Sequence, residues 1–167
     1  MLDAARAAIP HLAVTTDVIV GFPGETDADH ADSIAFVEAR GFAKLHVFRY
    51  SQRPGTPAAD MAEQVDPRVK AARAAEMRAL GERLAAARAA ARTGGLADVL
   101  VERAATGASD FAAGTSEDYL HVVVEGSRAG RGDVVRVRIA GPASAARATS
   151  PASVTAVEDE PPVVESK

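Results

Sequence analysis

The sequence predicts an α/β unit followed by a small all-β barrel, and two observations lead to this fold class. In residues 13–92, apolar strand-like runs alternate with stretches of helical periodicity, which is the pattern of a βαβ unit. After Gly94 and Gly95 the period becomes strand-like, and four or five short antiparallel strands follow. Because closure removes exposed strand edges, these strands predict a barrel of oligonucleotide-binding-like (OB-like) shape.

The helices of the first part have start and stop signals in the sequence. Thr26 stands three residues before Asp29, a variant of the capping box that begins a helix, and Gly41 supplies its stop. Asp66 and Pro67 suit the cap and the first position of a long helix. The predicted elements are a helix at 2–9, a strand at 13–20, a helix at 27–40, a strand at 44–50 and a helix at 68–92.

Glycines divide the second part. Gly107, Gly126 and Gly132 separate predicted strands at 96–103, 111–115, 119–125 and 134–139. The last residues combine alanine, serine and proline with acidic side chains, and too few large apolar groups remain to offset the ordering entropy. The predicted domains are therefore 1–66 for the α/β part, 67–95 for a connecting helix, 96–142 for the barrel and 143–167 for a disordered tail.

Composition excludes several classes of site. The chain has no cysteine, so it holds no disulfide, no thiolate nucleophile and no cysteine-ligated zinc or iron–sulfur cluster. Its four histidines are scattered without the spacing of metal ligands. With no membrane span and no secretory signal in the sequence, we expect a cytoplasmic protein without a membrane partner.

The end of the first strand carries the strongest local signal. An apolar β-branched run reaches Val20 and then breaks at Gly21, Pro23 and Gly24, where glycines permit tight turns or close ligand approach. Spacing alone leaves open a structural turn or a ligand site. Asp17, Ile19, Gly21 and Glu25 resemble the fifth-strand signature of radical S-adenosylmethionine enzymes, and the fuller run resembles the tRNA methylthiotransferase family.

A second block, residues 44–59, resembles the sixth barrel strand of that family and the loop after it. The resemblance implies that residues 1–66 are the C-terminal part of a radical S-adenosylmethionine (β/α) barrel, and that the chain is a C-terminal fragment. It also implies S-adenosylmethionine as cofactor. Ile19 and Gly21 would line its adenine, Glu25 would brace the loop, and backbone at Phe48, Arg49 and Tyr50 would approach the same ring.

The missing cysteines limit what the resemblance allows. The family ligates its 4Fe-4S clusters through cysteines that this chain lacks, so we expect the isolated chain to be inactive and to need a cysteine-bearing N-terminal half as partner. Strand 13–20 would then have an unpaired apolar side, which predicts association in solution.

The barrel region has its own resemblance. Residues 114–126 and 132–139 resemble the TRAM domain that ends methylthiotransferases and recognises tRNA. Residues 96–140 carry five cations against seven acidic groups, which by itself supports RNA contact only weakly. Tyr119 would either stack on an unpaired base or pack at the barrel rim. The RNA-binding candidates are Arg53, Tyr119, Arg128, Arg136 and Arg138, with Arg131 nearby.

The sequence therefore suggests part of a tRNA methylthiotransferase. The form of residues 44–48 favours the enzymes that methylthiolate C2 of N6-threonylcarbamoyl-adenosine 37, with those acting on N6-dimethylallyl-adenosine 37 as the alternative. A non-catalytic tRNA-binding TRAM module and a truncated non-functional product also stay open. Gln52 stands where the family usually has proline, and we expect it to loosen the loop slightly.

Overall fold

The computed structural model describes residues 1–105, 111–143 and 153–158. They divide into two compact units, a strand–helix unit of Ala13–Ala85 and a barrel unit of Met1–Leu12 with Ala86–Lys167. The helices are α1 (Leu2–Ala8), α2 (Asp27–Arg40) and α3 (Pro67–Ala91), with a 3-10 turn at Pro57–Ala59. The strands are β1 (Thr15–Val20), β2 (Lys44–Arg49), β3 (Leu96–Arg103), β4 (Phe111–Ser116), β5 (His121–Glu125), β6 (Val134–Pro142) and β7 (Val154–Glu158).

In the strand–helix unit, β1 and β2 pair in parallel with Thr15 opposite Lys44 and Val20 opposite Arg49. The connection through α2 confirms the predicted βαβ unit. Both helix signals are confirmed as well: Thr26 and Asp29 form a reciprocal capping box, and Gly41 ends α2 in the left-handed conformation. Among the described residues, this unit contains one sheet of two strands, so the radical S-adenosylmethionine barrel stays a prediction.

The apolar side chains of α2 and α3 are only partly buried. On α2, Val37 is buried but Phe36 is 58% exposed, because consecutive helical residues point about 100° apart. On α3, Met77 and Leu80 are buried, whereas Val69 and Ala87 are exposed. The buried stripe of α3 instead includes Ala74 and the guanidinium-bearing Arg73.

The barrel unit contains a closed barrel with strand order β3-β4-β5-β7-β6. This is consistent with the predicted OB-like shape. The expectation of purely antiparallel strands is wrong, since β5 and β7 pair in parallel. Gly114 explains one close approach of β4 to β3, because a Cβ there would lie 2.0 Å from the carbonyl oxygen of Leu100. The core is small and aliphatic, and its fully buried members include Val99, Val122, Val124, Val137 and Ile139.

The fifth barrel strand corrects the predicted disordered tail. Val154–Glu158 pairs with both β5 and β6, and Val154 and Ala156 are completely buried. Ser127 donates a hydrogen bond to the carboxylate of Glu158. The rest of the expected tail, 144–152 and 159–167, lies outside the described residues, as does the turn expected at Gly107.

Candidate cofactor and nucleic-acid sites

The turn after β1 is held by one carboxylate. Gly21 and Gly24 have φ of 71° and 85°, a left-handed conformation that glycine adopts without a Cβ penalty. The side chain of Glu25 accepts a hydrogen bond from the main-chain N–H of Gly21. The N–H of Gly24 donates to the carbonyl of Glu63 at 2.9 Å. These bonds fix the path of the chain at the carboxyl end of β1.

Arg73 on α3 anchors the same turn. Its Nη1 lies 2.7 Å from Oε2 of Glu25 and 3.0 Å from the Glu25 carbonyl oxygen, and its Nη2 lies 2.7 Å from Oδ1 of Asp27. The Arg73 side chain is 7% exposed and that of Glu25 is 13% exposed. The hydrogen bond to Asp27, and then that to Glu25, raise the pKa of Arg73 against the opposing effect of burial.

Arg73 is not among the site residues expected from the sequence. A signal was nevertheless present, because Arg73 precedes Met77 by four residues and Leu80 by seven, which is the spacing of one helix face. A cation in such an apolar stripe indicates a buried acidic partner, since unpaired buried charges are costly.

Lys70 covers Gly21. A Cβ on Gly21 would lie 2.4 Å from Cγ of Lys70. The absence of a side chain at Gly21 therefore leaves room for the aliphatic part of the Lys70 side chain to pack against the turn. The Lys70 ammonium lies 4.9 Å from the centre of the Tyr50 ring and 3.4 Å from the Tyr50 carbonyl oxygen. The packing of α3 thus explains why a glycine occupies position 21, in addition to the predicted ligand contact.

Ile19 and Phe48 form an exposed apolar pair. They are directly opposite in the β1–β2 register and are 57% and 52% exposed. Exposed apolar side chains of this kind suit contact with the ring of an adenine. Arg49 is exposed, and Tyr50 packs edge-on against Phe22 with ring centres 5.1 Å apart. The predicted adenine-facing residues therefore lie together around the carboxyl ends of β1 and β2.

The loop after β2 holds the exposed Arg53. Its carbonyl oxygen accepts a hydrogen bond from the hydroxyl of Thr56 at 2.8 Å. The side-chain amide of Gln52 donates a hydrogen bond to the carbonyl of Ala59 at 2.7 Å, and a loosening relative to proline stays a prediction. Gln64 adds bonds to the carbonyls of Ala58 and Met61. The loop is thus closed by side-chain amides.

The RNA-binding candidates of the barrel unit differ in their surroundings. Arg136 makes two 2.8 Å hydrogen bonds to the carboxylate of Asp98, and this pairing lowers the pKa of Asp98. Arg138 donates to the carbonyl of Gly94 at 3.1 Å. Arg128 is exposed. Asp98 therefore neutralises part of the positive charge of these candidates.

Tyr119 is not packed at the barrel rim, because its side chain is 65% exposed. It precedes β5 while Arg128 follows that strand, so the two lie at opposite ends of β5. The main-chain N–H of Glu117 donates to the carbonyl of Asp98 at 3.1 Å. The turn that carries Tyr119 therefore adjoins the strand pair that carries Arg136.

The part of the chain that the structure describes contains no cluster of three metal-ligating side chains. With no cysteine in the sequence, the residues of this chain do not fit a 4Fe-4S cluster. In the same described ranges, no helix combines the length and the apolar character needed to cross a lipid bilayer.

Comparison with known proteins identifies relatives of two kinds. The chain is 39% identical over 140 residues to the threonylcarbamoyladenosine tRNA methylthiotransferase MtaB of Bacillus subtilis, a match covering 83% of this chain and 31% of that protein. It is 41% identical over 142 residues to a tRNA-2-methylthio-N(6)-dimethylallyladenosine synthase of Acidothermus cellulolyticus, covering 83% and 29%.

A synthase of the same name from Cereibacter sphaeroides is 44% identical over 144 residues, covering 83% of this chain and 31% of the relative. The chain thus spans less than a third of the length of these three relatives. No family model matches the chain.

Proposed function

We propose that this chain, which belongs to the tRNA methylthiotransferase family, forms the C-terminal, RNA-contacting part of an enzyme that adds a methylthio group to C2 of adenosine 37 in tRNA. Identity of 39% or more over most of the chain to enzymes of both named types carries the proposal. The closed barrel agrees with it, since OB-type barrels commonly bind oligonucleotides.

The substrate is assigned by motif form alone. The run at 44–48 favours N6-threonylcarbamoyl-adenosine 37, and N6-dimethylallyl-adenosine 37 is the alternative. Relatives of both names match over similar lengths.

The chain's own residues would contribute one side of a cofactor site. Ile19 and Phe48 would contact the adenine of S-adenosylmethionine, with backbone of Gly21, Arg49 and Tyr50 at the same strand ends. Glu25 would act indirectly, by holding the turn at Gly21. When bound beside a reduced iron–sulfur cluster, this cofactor supplies a radical that abstracts hydrogen. The cluster itself requires cysteines from a partner, which the family resemblance places in an N-terminal half.

On the RNA side, Arg53 and Arg128 are exposed cations suited to phosphate contact. Arg136 and Arg138 lie on the outer face of β6, and Tyr119 presents an exposed ring. Because Arg136 is paired with Asp98, we expect it to contribute less to RNA affinity than Arg128.

Two measurements test the proposal. The chain with tRNA, S-adenosylmethionine and reductant should give no methylthiolated product, and product should appear when a cysteine-bearing N-terminal half is added. Product without that half would overturn the fragment assignment. Separately, tRNA affinity should fall with rising salt, and Arg53→Ala and Arg128→Ala should weaken it. Unchanged affinity in both variants would overturn the RNA-contacting role.

A non-catalytic tRNA-binding module is the second candidate, favoured by the absence of cysteine from the whole chain. It predicts the same salt-dependent binding but no product with any N-terminal half supplied. The complementation experiment therefore separates the two candidates.

A further inference from the structure

In the described part of the chain, two non-glycine residues have a left-handed backbone, and both lie in the barrel unit. His11 has φ of 58° and Tyr119 has φ of 65°. Both are exposed, so burial of their rings does not offset the strain. Left-handed backbone is unfavourable for residues with a Cβ and is an outlier for a bulky one. Strained residues of this kind cluster at functional sites when the surrounding structure holds them in place.

One guanidinium contacts His11 and the residue before Tyr119. Nη2 of Arg88 is 2.8 Å from the carbonyl oxygen of His11. The same atom is 3.3 Å from the carbonyl oxygen of Asp118, the residue before Tyr119, and 3.1 Å from its Oδ2. The Arg88 side chain is 22% exposed. Two strained backbone positions that are distant in sequence are thus held to a single cation.

Several hydrogen bonds of Asp118 fix the turn between β4 and β5. Its side chain is 5% exposed, and Oδ2 also accepts a 2.9 Å hydrogen bond from Nε of Arg92. Its Oδ1 accepts from the hydroxyl of Ser116 at 2.7 Å. That hydroxyl accepts from the N–H of Leu120 at 3.0 Å, and the Ser116 carbonyl accepts from the N–H of Tyr119 at 3.0 Å. Tyr119 therefore cannot relax without breaking buried bonds.

These contacts hold the main chain at His11 and the peptide unit before Tyr119 within hydrogen-bond distance of one partly exposed cation. Both residues carry exposed aromatic side chains, and this combination suits an unpaired nucleobase and its phosphate. Aromatic side chains stack on unpaired bases, and arginine pairs with phosphate. We propose that His11 and Tyr119 form a stacking site for an unpaired RNA base, and that Asp118 is the positioning residue that holds the site open. This inference rests on the proposed RNA-contacting function and assigns the base-stacking site within it.

Tyrosine fluorescence tests the site directly. The chain has two tyrosines and no tryptophan, so the full chain with Tyr50→Phe leaves Tyr119 as the single emitter. The probe is an RNA hairpin with an unpaired loop, compared with versions in which each loop nucleotide in turn is abasic. Stacking predicts that the hairpin quenches Tyr119 and that one abasic version fails to do so. Equal quenching by all abasic versions would overturn the proposal.

Variants measured by anisotropy of labelled hairpin extend the test. Tyr119→Gly relieves the left-handed strain, so we expect an unchanged or higher melting temperature. Its affinity should be weaker by about 5- to 150-fold, the usual effect of removing one stacking aromatic. Tyr119→Phe should retain the affinity. Phe36→Leu is the matched control, because Phe36 is aromatic and 58% exposed, and it should bind as the parent does. Parent-like affinity of Tyr119→Gly would overturn the proposal.

Asp118→Asn tests positioning. It should weaken quenching and affinity, and adding it to Tyr119→Gly should cause no further loss, because both act on one stacked base. Additive losses would show that Asp118 does not act through Tyr119. Where Asp118→Asn fails to fold, His11→Gly serves instead, since it keeps the buried bonds and removes the second ring. A parent chain without any hairpin binding would refute the RNA-contacting function itself, whereas binding insensitive to Tyr119 refutes only the stacking site.

Discussion

Replacement of Arg73 by methionine should destabilise the strand–helix unit by about 3 kcal/mol. Methionine fills similar space but leaves the Glu25 carboxylate, 13% exposed, without its cationic partner. Breaking a buried ion pair by removing one partner costs about 3–5 kcal/mol. We expect the lower end of that range because Glu25 keeps its hydrogen bond from Gly21.

The ion pair between Arg73 and Asp27 provides the matched control. The Asp27 side chain is 97% exposed, and exposed ion pairs contribute about 0–1 kcal/mol. Asp27→Asn should therefore have little effect. In the double variant Arg73→Met with Glu25→Gln, the uncompensated charge is gone, so we expect part of the stability to return and the cycle to show coupling of about 0.5–3 kcal/mol.

Equilibrium urea unfolding measures these differences. In a Tyr119→Phe background the only tyrosine is Tyr50, which contacts Phe22 and Lys70 in the same unit. With an m-value of about 2 kcal/mol/M, Arg73→Met should lower the midpoint by about 1.5 M. A change below about 0.5 kcal/mol, the size typical of ordinary surface substitutions, or an equal loss in Asp27→Asn, would refute this account of the turn.

The remaining predictions concern the barrel, the glycine turn, an acidic pair and a strand edge. Val154→Asp should abolish cooperative unfolding of the barrel, whereas Val157→Asp, at a position 56% exposed, should not. A Val154→Asp barrel that is still folded by circular dichroism would show that β7 is not a strand of the barrel. Gly21→Ala should cost at least about 1–2 kcal/mol from its left-handed backbone alone, and unfolding curves identical to those of the parent would contradict this. Pairing with Arg136 lowers the pKa of Asp98 below its ordinary value of 3.8. The pair therefore stabilises the fold at pH values above 3.8, and this contribution is lost as the pH falls through the lower folded-state pKa. The difference in unfolding free energy between the parent and Asp98→Asn should disappear in acid, and a difference that is constant with pH would exclude the pair as its cause. Among the described residues, β1 pairs with β2 alone. The apolar β1–β2 face and the other edge of β1 should promote association of the isolated chain, so a monodisperse monomer by light scattering would count against that expectation.

Local signals were sufficient for most elements of the fold. The capping box at Thr26, the stop at Gly41 and the cap at Asp66 act through hydrogen bonds between near neighbours in the chain, so the sequence locates them closely. Alternating apolar residues likewise located β3 to β6 near their observed bounds. The strand β7 was missed because averaging composition over the whole tail hid the short alternation of Val154–Glu158.

By itself, the sequence determined the helix and strand boundaries that depend on near neighbours, the exclusion of cysteine-held clusters, and the family to which the chain belongs. Tertiary structure decided which charges are buried and paired. Arg73 meets Glu25 across 48 residues, Arg136 meets Asp98 across 38, and Arg88 meets Asp118 across 30. Only folding brings such partners within hydrogen-bond distance, and the free energy of a charge depends on that distance and on its removal from water.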